Sequence, residues 1–258
     1  MAICACTAMF RAMRIAIYTA ITDGFDSIKP PLFTAPDCDY ICFTDNPSVR
    51  AEGWQIRPLP QSCTPQGLDG NRLAKHPKVM PHLYLSDYDI SIWIDGSYQI
   101  VEDFPAIARR ALQKYNLACF QHPEKRPSVF HEAEECIRVG KGDAQQIREQ
   151  IARYKAEGFN RADGIPACGV LMRRHMEADV IKLMDVWWDE ISNGSERDQI
   201  SFDYACWKSG VSCRMLSQKL GKSLLQHQGH GKSSKRNRKK FFNFLKRKAR
   251  VAWYKRTL

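Results

Sequence analysis

No stretch of this 258-residue chain approaches the ~18 consecutive apolar residues that a membrane-spanning helix needs, so none is expected. It has ten cysteines but no Cys-x-x-Cys pair, which argues against a zinc ribbon or a disulfide scaffold. Cys119, Cys168 and Cys213 lie in apolar, strand-like runs, so reduced, buried thiols and a cytosolic setting are expected. Acidic residues are missing from Lys232 to Leu258, where twelve of the 39 Lys and Arg residues fall. That leaves 27 basic against 28 acidic residues elsewhere, so the net charge of +11 belongs to the tail. A nearly neutral body is not expected to bind nucleic acid. The apolar start, Met1 to Met13, has no basic residues ahead of it as a signal peptide would, and Met9 and Met13 are alternative starts. No repeat and no strong linker precede Gly229, so the reading is one domain over 14–231 and a basic tail over 232–258.

What is present reads as an α/β chain. Arg14–Ile21, Tyr40–Thr44 and Trp54–Leu59 are predicted strands, followed by Asp- and Pro-containing loops. Ile90 to Ile94 is an apolar run suited to a strand buried on both faces, and it stops at Asp95-Gly96. Asp95 either opens a turn or anchors a ligand at the carboxyl edge of the sheet, where open α/β folds bind ligands. Further strands are expected at Leu117–Gln121, Gly164–Arg173 and Val211–Leu216. Helices are expected at 102–115, 130–139, 143–157, 175–192 and 197–208. Asn71–Leu85 reads as a helix capped by Asn71 and interrupted by Pro77 and Pro81. There Arg72, Lys75 and Lys78 share a face, either to hold a diphosphate or as solvated charge. Asp198, near a helix N-terminus, is stabilised as an anion and suits acceptor recognition or base catalysis; an N-cap paired with Arg197 is the alternative.

These pieces occur in an informative order. Lys75-His76-Pro77-Lys78, Pro81-His82 and Tyr88 to Ser97 come first, with Phe43-Thr44-Asp45-Asn46 ahead of them. His122, Arg126 and Val129-Phe130-His131-Glu132-Ala133 follow, then Gly169 to His175, then Trp188-Asp189-Glu190 and Arg197-Asp198-Gln199. The combination resembles the TOD/MUCI-type glycosyltransferase-like family over roughly Arg14 to Leu216. The resemblance implies a GT-A-like fold: a mixed, mostly parallel sheet flanked by helices, with a nucleotide-binding half. It also implies transfer of a sugar from a nucleotide donor, UDP-sugar first, to a glycan or lipid-linked acceptor, as in bacterial surface-polysaccharide assembly. Mn²⁺ or Mg²⁺ is the implied cofactor. Such enzymes typically carry Asp-x-Asp, whereas this chain has Asp95-Gly96-Ser97, with Ser in place of the second carboxylate.

Under that resemblance, Thr19 and Asp45 hold the base and ribose, while Arg72, Lys75, Lys78, Gly96 and Lys232 meet the donor. Asp95, Ser97 and His230 are the metal ligands, His230 because 227–232 looks like the closing segment of glycogenin-type enzymes. Asp198, Arg197 and Gln199 join Asp95 as catalytic candidates, and His122, Arg126 and Arg173 as the sugar and acceptor pocket. Nucleotidyl or phosphoryl transfer could use the same Asp and Lys set, and a non-enzymatic polyanion-binding module could use the tail. As a helix from about Lys239, the tail sets Phe241, Phe242, Phe244, Leu245, Ala249, Ala252 and Trp253 opposite Lys246, Arg247 and Arg250. That pattern over 235–256 suits an anionic membrane surface, at the cytoplasmic face of the inner membrane.

Overall fold

The computed structural model describes residues 13–24, 28–46, 48–228 and 240–257, with side chains of the last segment from 248 onward. Its centre is a seven-stranded sheet in the order β3-β2-β1-β4-β7-β6-β8. The strands are β1 (Ile15–Ile21), β2 (Cys38–Thr44), β3 (Gln55–Pro58), β4 (Ile90–Ile94), β6 (Leu117–Gln121), β7 (Pro166–Arg173) and β8 (Arg214–Leu216). All neighbours pair parallel except β7, which runs antiparallel to β4 and β6. This is a mixed, mostly parallel sheet of an α/β fold, as the resemblance implies.

Every residue of β4 is buried, because helices cover both of its faces. Trp93 faces one core layer with Tyr18 and Leu171, under α1 (Gly70–Val79), α6 (Ala178–Asn193) and α7 (Asp198–Ser209). Ile90, Ile92 and Ile94 face the other, with Val170 and Met172, under α3 (Phe104–Ala111) and α8 (Gln218–Leu224). Ile147, Tyr154 and Tyr204 belong to a third cluster, in which α4 (Val129–Arg138) and α5 (Ala144–Ala156) pack against α7.

Helix α1 differs from expectation at both ends. Its N-cap is Asp69, which accepts a hydrogen bond from the Arg72 amide at 2.8 Å, so Asn71 is already helical. Pro77 does not interrupt it: one lost backbone bond is outweighed by burying His76, Pro77, Lys78 and Val79 together. Pro81 instead opens the short α2 (Pro81–Tyr84).

Two short strands escape the sequence pattern. β5 (Tyr98–Ile100) and β9 (Leu225–His227) pair antiparallel just beyond the Asp95 turn, and three residues are too few to display alternation. The amide of Gln228 then donates to the Ser97 carbonyl at 2.9 Å. His230 and Lys232 lie outside the described residues.

The C-terminal helix α9 (Lys240–Thr257) packs on the body. Val251 is buried in the core layer of Ile15 and Phe104, with Tyr254 against it. Lys255 pairs with Asp103 at 2.5 Å, and Arg250 donates to the Lys219 carbonyl at 3.2 Å. Of the face expected to be apolar, Ala249, Ala252 and Trp253 point outward, with Trp253 59% exposed, while the side chains of Phe241, Phe242, Phe244, Leu245, Lys246 and Arg247 lie outside the described residues.

Candidate functional site

Strand direction assembles the site. The parallel strands β1, β2 and β4 end at one edge, and antiparallel β7 begins there. Gly169 thus comes beside Asp95: the Asp95 amide donates to its carbonyl at 2.9 Å. A Cβ on Gly169 would stand 3.2 Å from Asp95 Oδ2 and 3.3 Å from the Tyr98 ring, so only a glycine leaves that approach open.

Lys78 is the hinge of the electrostatics. It is 4% exposed, and its Nζ lies 3.1 Å from Asp95 Oδ1 and 2.5 Å from Asp198 Oδ2. Trp93 Nε1 donates to the same Asp95 oxygen at 2.6 Å, which fixes the carboxylate's orientation. Burial pushes the Lys78 ammonium toward the neutral form, but Asp198 and then Asp95 reverse this and raise its pKa. Burial likewise works against the Asp198 anion, yet Lys78 and then Lys75 outweigh it and depress the carboxyl's pKa. Lys75 has its own pKa lowered by burial, with Asp198 opposing.

These groups open into a cavity of about 340 Å³. One side is Lys78, Asp95, Cys168, Gly169 and Asp198. The other is a charged wall from the β6–α4 loop and α4. Arg126 Nε donates to Glu132 at 3.0 Å and its Nη2 to Glu124 at 2.5 Å, and His122 stands 3.8 Å from Glu132. Burial lowers the His122 pKa against the pull of Glu132. Arg197 also lines the cavity, and its Nε is buried without a hydrogen-bond partner.

A second cavity, about 350 Å³, lies where β1 ends and α1 begins. Ala20, Thr22, Asp23, Gly70, Asn71 and Ala74 line it. Thr22 donates to the Gly70 carbonyl at 2.8 Å, and a Cβ on Gly70 would fall 1.7 Å from Asp23 Oδ2. The first turn of α1 borders this cavity and Lys78 in its last turn borders the other, a span of ~12 Å at 1.5 Å per residue.

The structure brings Asp95, Lys78, Asp198, Arg197, His122 and Arg126 together, with Lys75 close enough to act on Asp198. Gly96 and Ser97 form the half-buried turn behind Asp95. Asp198 is not an N-cap: Arg197 occupies that position and Asp198 is the first helical residue. Asp45 acts at one remove, accepting a hydrogen bond from the Asp23 amide at 3.1 Å. Thr19 is 1% exposed within β1, its hydroxyl without a partner, whereas Thr22 lines the cavity.

Three candidates are corrected. Arg173 is not in the pocket: the reversal of β7 sets it opposite Ser91, at the start of β4 rather than its end. It is fully buried and donates to Tyr18 Oη at 2.5 Å. Arg72 is turned away from any diphosphate, donating to the Ile191 and Gly194 carbonyls at 3.2 and 3.0 Å. The negative end of the α6 dipole holds it there. Gln199 lines the cavity, but its amide is spent on β7: Oε1 accepts from the Cys168 amide at 3.0 Å and Nε2 donates to the Pro166 carbonyl. Its role is to position the start of β7.

Sequence reasoning quoted Glu132 within a motif but gave neither it nor Glu135 a role in the site, although their spacing of three puts them on one face of α4, just after Arg126. Gly169 is quoted only as part of a motif and Asn71 only as a cap: the role of the first depends on a partner 74 residues away, and that of the second on a cavity that Asp23 and Gly70 complete.

A divalent cation fits this donor set only in a limited way. Asp95 Oδ1 is already shared by Lys78 and Trp93, which leaves Oδ2 and the Ser97 hydroxyl. Among the described residues no three His, Cys, Asp or Glu side chains cluster as metal ligands. Such a site suits Mg²⁺ or Mn²⁺ carried largely by substrate phosphate oxygens and water.

Comparison with known proteins places the chain among glycosyltransferase-like sequences. An alignment of 218 positions that covers 73% of the chain is 29% identical to a probable hexosyltransferase, MUCI70, of Arabidopsis thaliana. The match spans 36% of that relative's length. The apo structure of WbbM, a bifunctional glycosyltransferase, aligns with a TM-score of 0.47 and 12% identity, over 81% of this chain and 39% of that one. The profile of the TOD1/MUCI70, glycosyltransferase-like domain matches residues 65–230, which include Lys78, Asp95, Arg126 and Asp198, and the chain belongs to that family.

Proposed function

We propose that the chain transfers a hexose from a nucleoside diphosphate sugar, UDP-sugar first, to a hydroxyl of a glycan or lipid-linked acceptor. The observation that carries this reading is Lys78, a buried cation held between Asp95 and Asp198, at the end of the helix whose start borders the second cavity. A donor built as base, diphosphate and sugar matches that layout: nucleoside against Thr22, Asp23 and Asn71, diphosphate toward Lys78, sugar in the charged cavity.

Lys78 and Lys75 offset the negative charge that grows on the leaving diphosphate, and the burial of Lys78 strengthens that effect. A bound Mg²⁺ or Mn²⁺ would supply further charge neutralisation there, held by Asp95, Ser97 and, in our proposal, His230, with Lys232 on a phosphate. Asp198 is a poor proton acceptor, because its pKa is depressed by the two lysines. Its fixed negative charge suits stabilising positive charge at the sugar carbon and ordering hydroxyl groups. His122, Arg126 and Glu132 offer donors and acceptors to the remaining hydroxyls.

No helix among the described residues is long and apolar enough to cross a membrane. For work at the inner face of a membrane, the outward Trp253 is the proposed contact, since Lys255 and Arg250 are held against the body, and surface-polysaccharide assembly is the proposed setting.

A panel of nucleotide sugars screened by thermal shift tests the donor. One of them is expected to raise the Tm saturably, by RT ln(1 + [L]/Kd) in free energy. If no nucleotide sugar stabilises the protein, with or without Mn²⁺, the reading fails.

A further inference from the structure

A third cavity, about 370 Å³, lies next to the catalytic one and differs from it in chemistry. Pro123 and Gly169 line both, so the two adjoin at Gly169, beside Asp95 Oδ2. Where the first is walled by carboxylates and cations, this groove is walled by Tyr98, Phe120, Ala167, Val170 and Leu225. Its polar groups, Gln218, Lys222 and His227, come from α8 and β9, and Lys222 is solvent-exposed. Tyr98 and His227 pack edge-on at 5.3 Å beside the Asp95 turn.

A wall of aliphatic and aromatic carbon gives little to the hydroxyls of a free sugar but much to a hydrocarbon, at roughly 25 cal/mol per Å² buried. Lys222 adds a cation on the rim. The same helix α8 meets the basic α9 on its adjacent face, where Arg250 reaches Lys219 O and Ser223 Oγ at 3.2 and 3.1 Å. The groove is thus placed next to the element best suited to an anionic lipid surface.

We propose that this groove binds the apolar chain of an amphiphilic acceptor with an anionic linkage. The chain lies between Phe120, Val170 and Leu225, the phosphate or similar anion meets Lys222, and the reacting hydroxyl passes Gly169 toward Asp198. The assignment of the groove to the acceptor rests on the proposed transferase reading; the binding itself does not.

The test is calorimetric titration of the full chain with n-decyl phosphate below its critical micelle concentration, no donor being present. Saturable one-to-one binding is expected, with inorganic phosphate binding at least tenfold more weakly. Ala167→Trp fills the groove and is expected to weaken decyl phosphate at least tenfold. Lys222→Glu, a surface change that leaves packing alone, is expected to weaken it at least threefold. The proposal is overturned if wild type shows no saturable binding, if inorganic phosphate binds equally well, or if both variants bind like wild type. Decyl phosphate binding alongside failure of every nucleotide sugar would leave the groove standing and remove the transferase reading, and the converse would do the reverse.

Discussion

Lys78→Met should be the most damaging single substitution in the protein. Methionine keeps the chain length and apolar stem but removes the charge that Asp198 and Asp95 share. Asp198, 8% exposed, would be left as a buried anion without its closest cation. Removing one partner of a buried ion pair costs about 3–5 kcal/mol, a large part of an ordinary domain's stability. The effect on turnover should be separate and at least comparable, about 10²–10³-fold, as for other charge-stabilising donors aimed at a reacting group. Combining Lys78→Met with Asp198→Asn removes both charges and should recover part of the stability while activity stays low. Denaturant unfolding and donor turnover measured on the same preparations separate the two effects. A Lys78→Met protein with wild-type stability and turnover within threefold of normal would remove Lys78 from the centre of the site.

Stability should also fall steeply on mild acidification. His76 is 2% exposed with Nδ1 2.6 Å from Tyr84 Oη, and His175 is fully buried with Nε2 donating to the Leu85 carbonyl at 2.9 Å. Burial lowers each from 6.5 to about 4. Between those values the unfolded chain binds protons that the folded protein refuses. The contribution is therefore complete above pH 6.5 and is lost as pH falls toward 4. At pH 5 the loss is about 2 kcal/mol for each histidine by linkage. His82 and His122, also lowered by burial, add in the same direction. The depressed Asp198 adds to the loss only below the ordinary carboxylate range, so it does not confuse this window. Unfolding free energies at pH 7 and pH 5 measure the effect, and His175→Gln, which can still donate to Leu85, should reduce the slope by about half. A flat profile would mean that the imidazoles are not held neutral by burial.

What could be read from the sequence was local. Ile90 to Ile94 announces a strand buried on both faces, and the Asp95-Gly96 break gives its end; both hold. Strand direction is not local, because a strand buried on both faces has the same apolar pattern whichever way it runs. That is why the sequence places Arg173 at the wrong edge of the sheet, and why Gly169 appears only as part of a motif. The spacing of Arg72, Lys75 and Lys78 correctly gave a helix with a shared basic face. It could not tell which partner each cation meets: Arg72 caps α6, while Lys78 pairs with an aspartate 120 residues away. The tail shows the same limit. Its charge and aromatic content were visible, but Val251 as the docking residue was not, since that depends on the surface of α3 and α8.

The missing second aspartate also looks different once the fold is present. With Ser97 at that position, the second carboxylate near Lys78 comes from Asp198, on a different element, and the cation between the two is a lysine. In the proposed donor site, a buried lysine thus stands beside Asp95, and it is itself balanced by two aspartates.

Donor binding by Asp95→Asn tests the central claim most directly. The substitution preserves shape and the Trp93 contact geometry while removing the charge facing Lys78 and the free oxygen toward the cavity. The measurement is calorimetric titration with the nucleotide sugar that stabilises wild type, with Mn²⁺ and again with chelator, alongside its hydrolysis rate. Asp95→Asn is expected to keep the wild-type fold, bind the donor at least tenfold more weakly with Mn²⁺ present, and lose hydrolysis at least a hundredfold. Wild-type affinity and hydrolysis in Asp95→Asn would contradict the assignment of this strand end as the donor site.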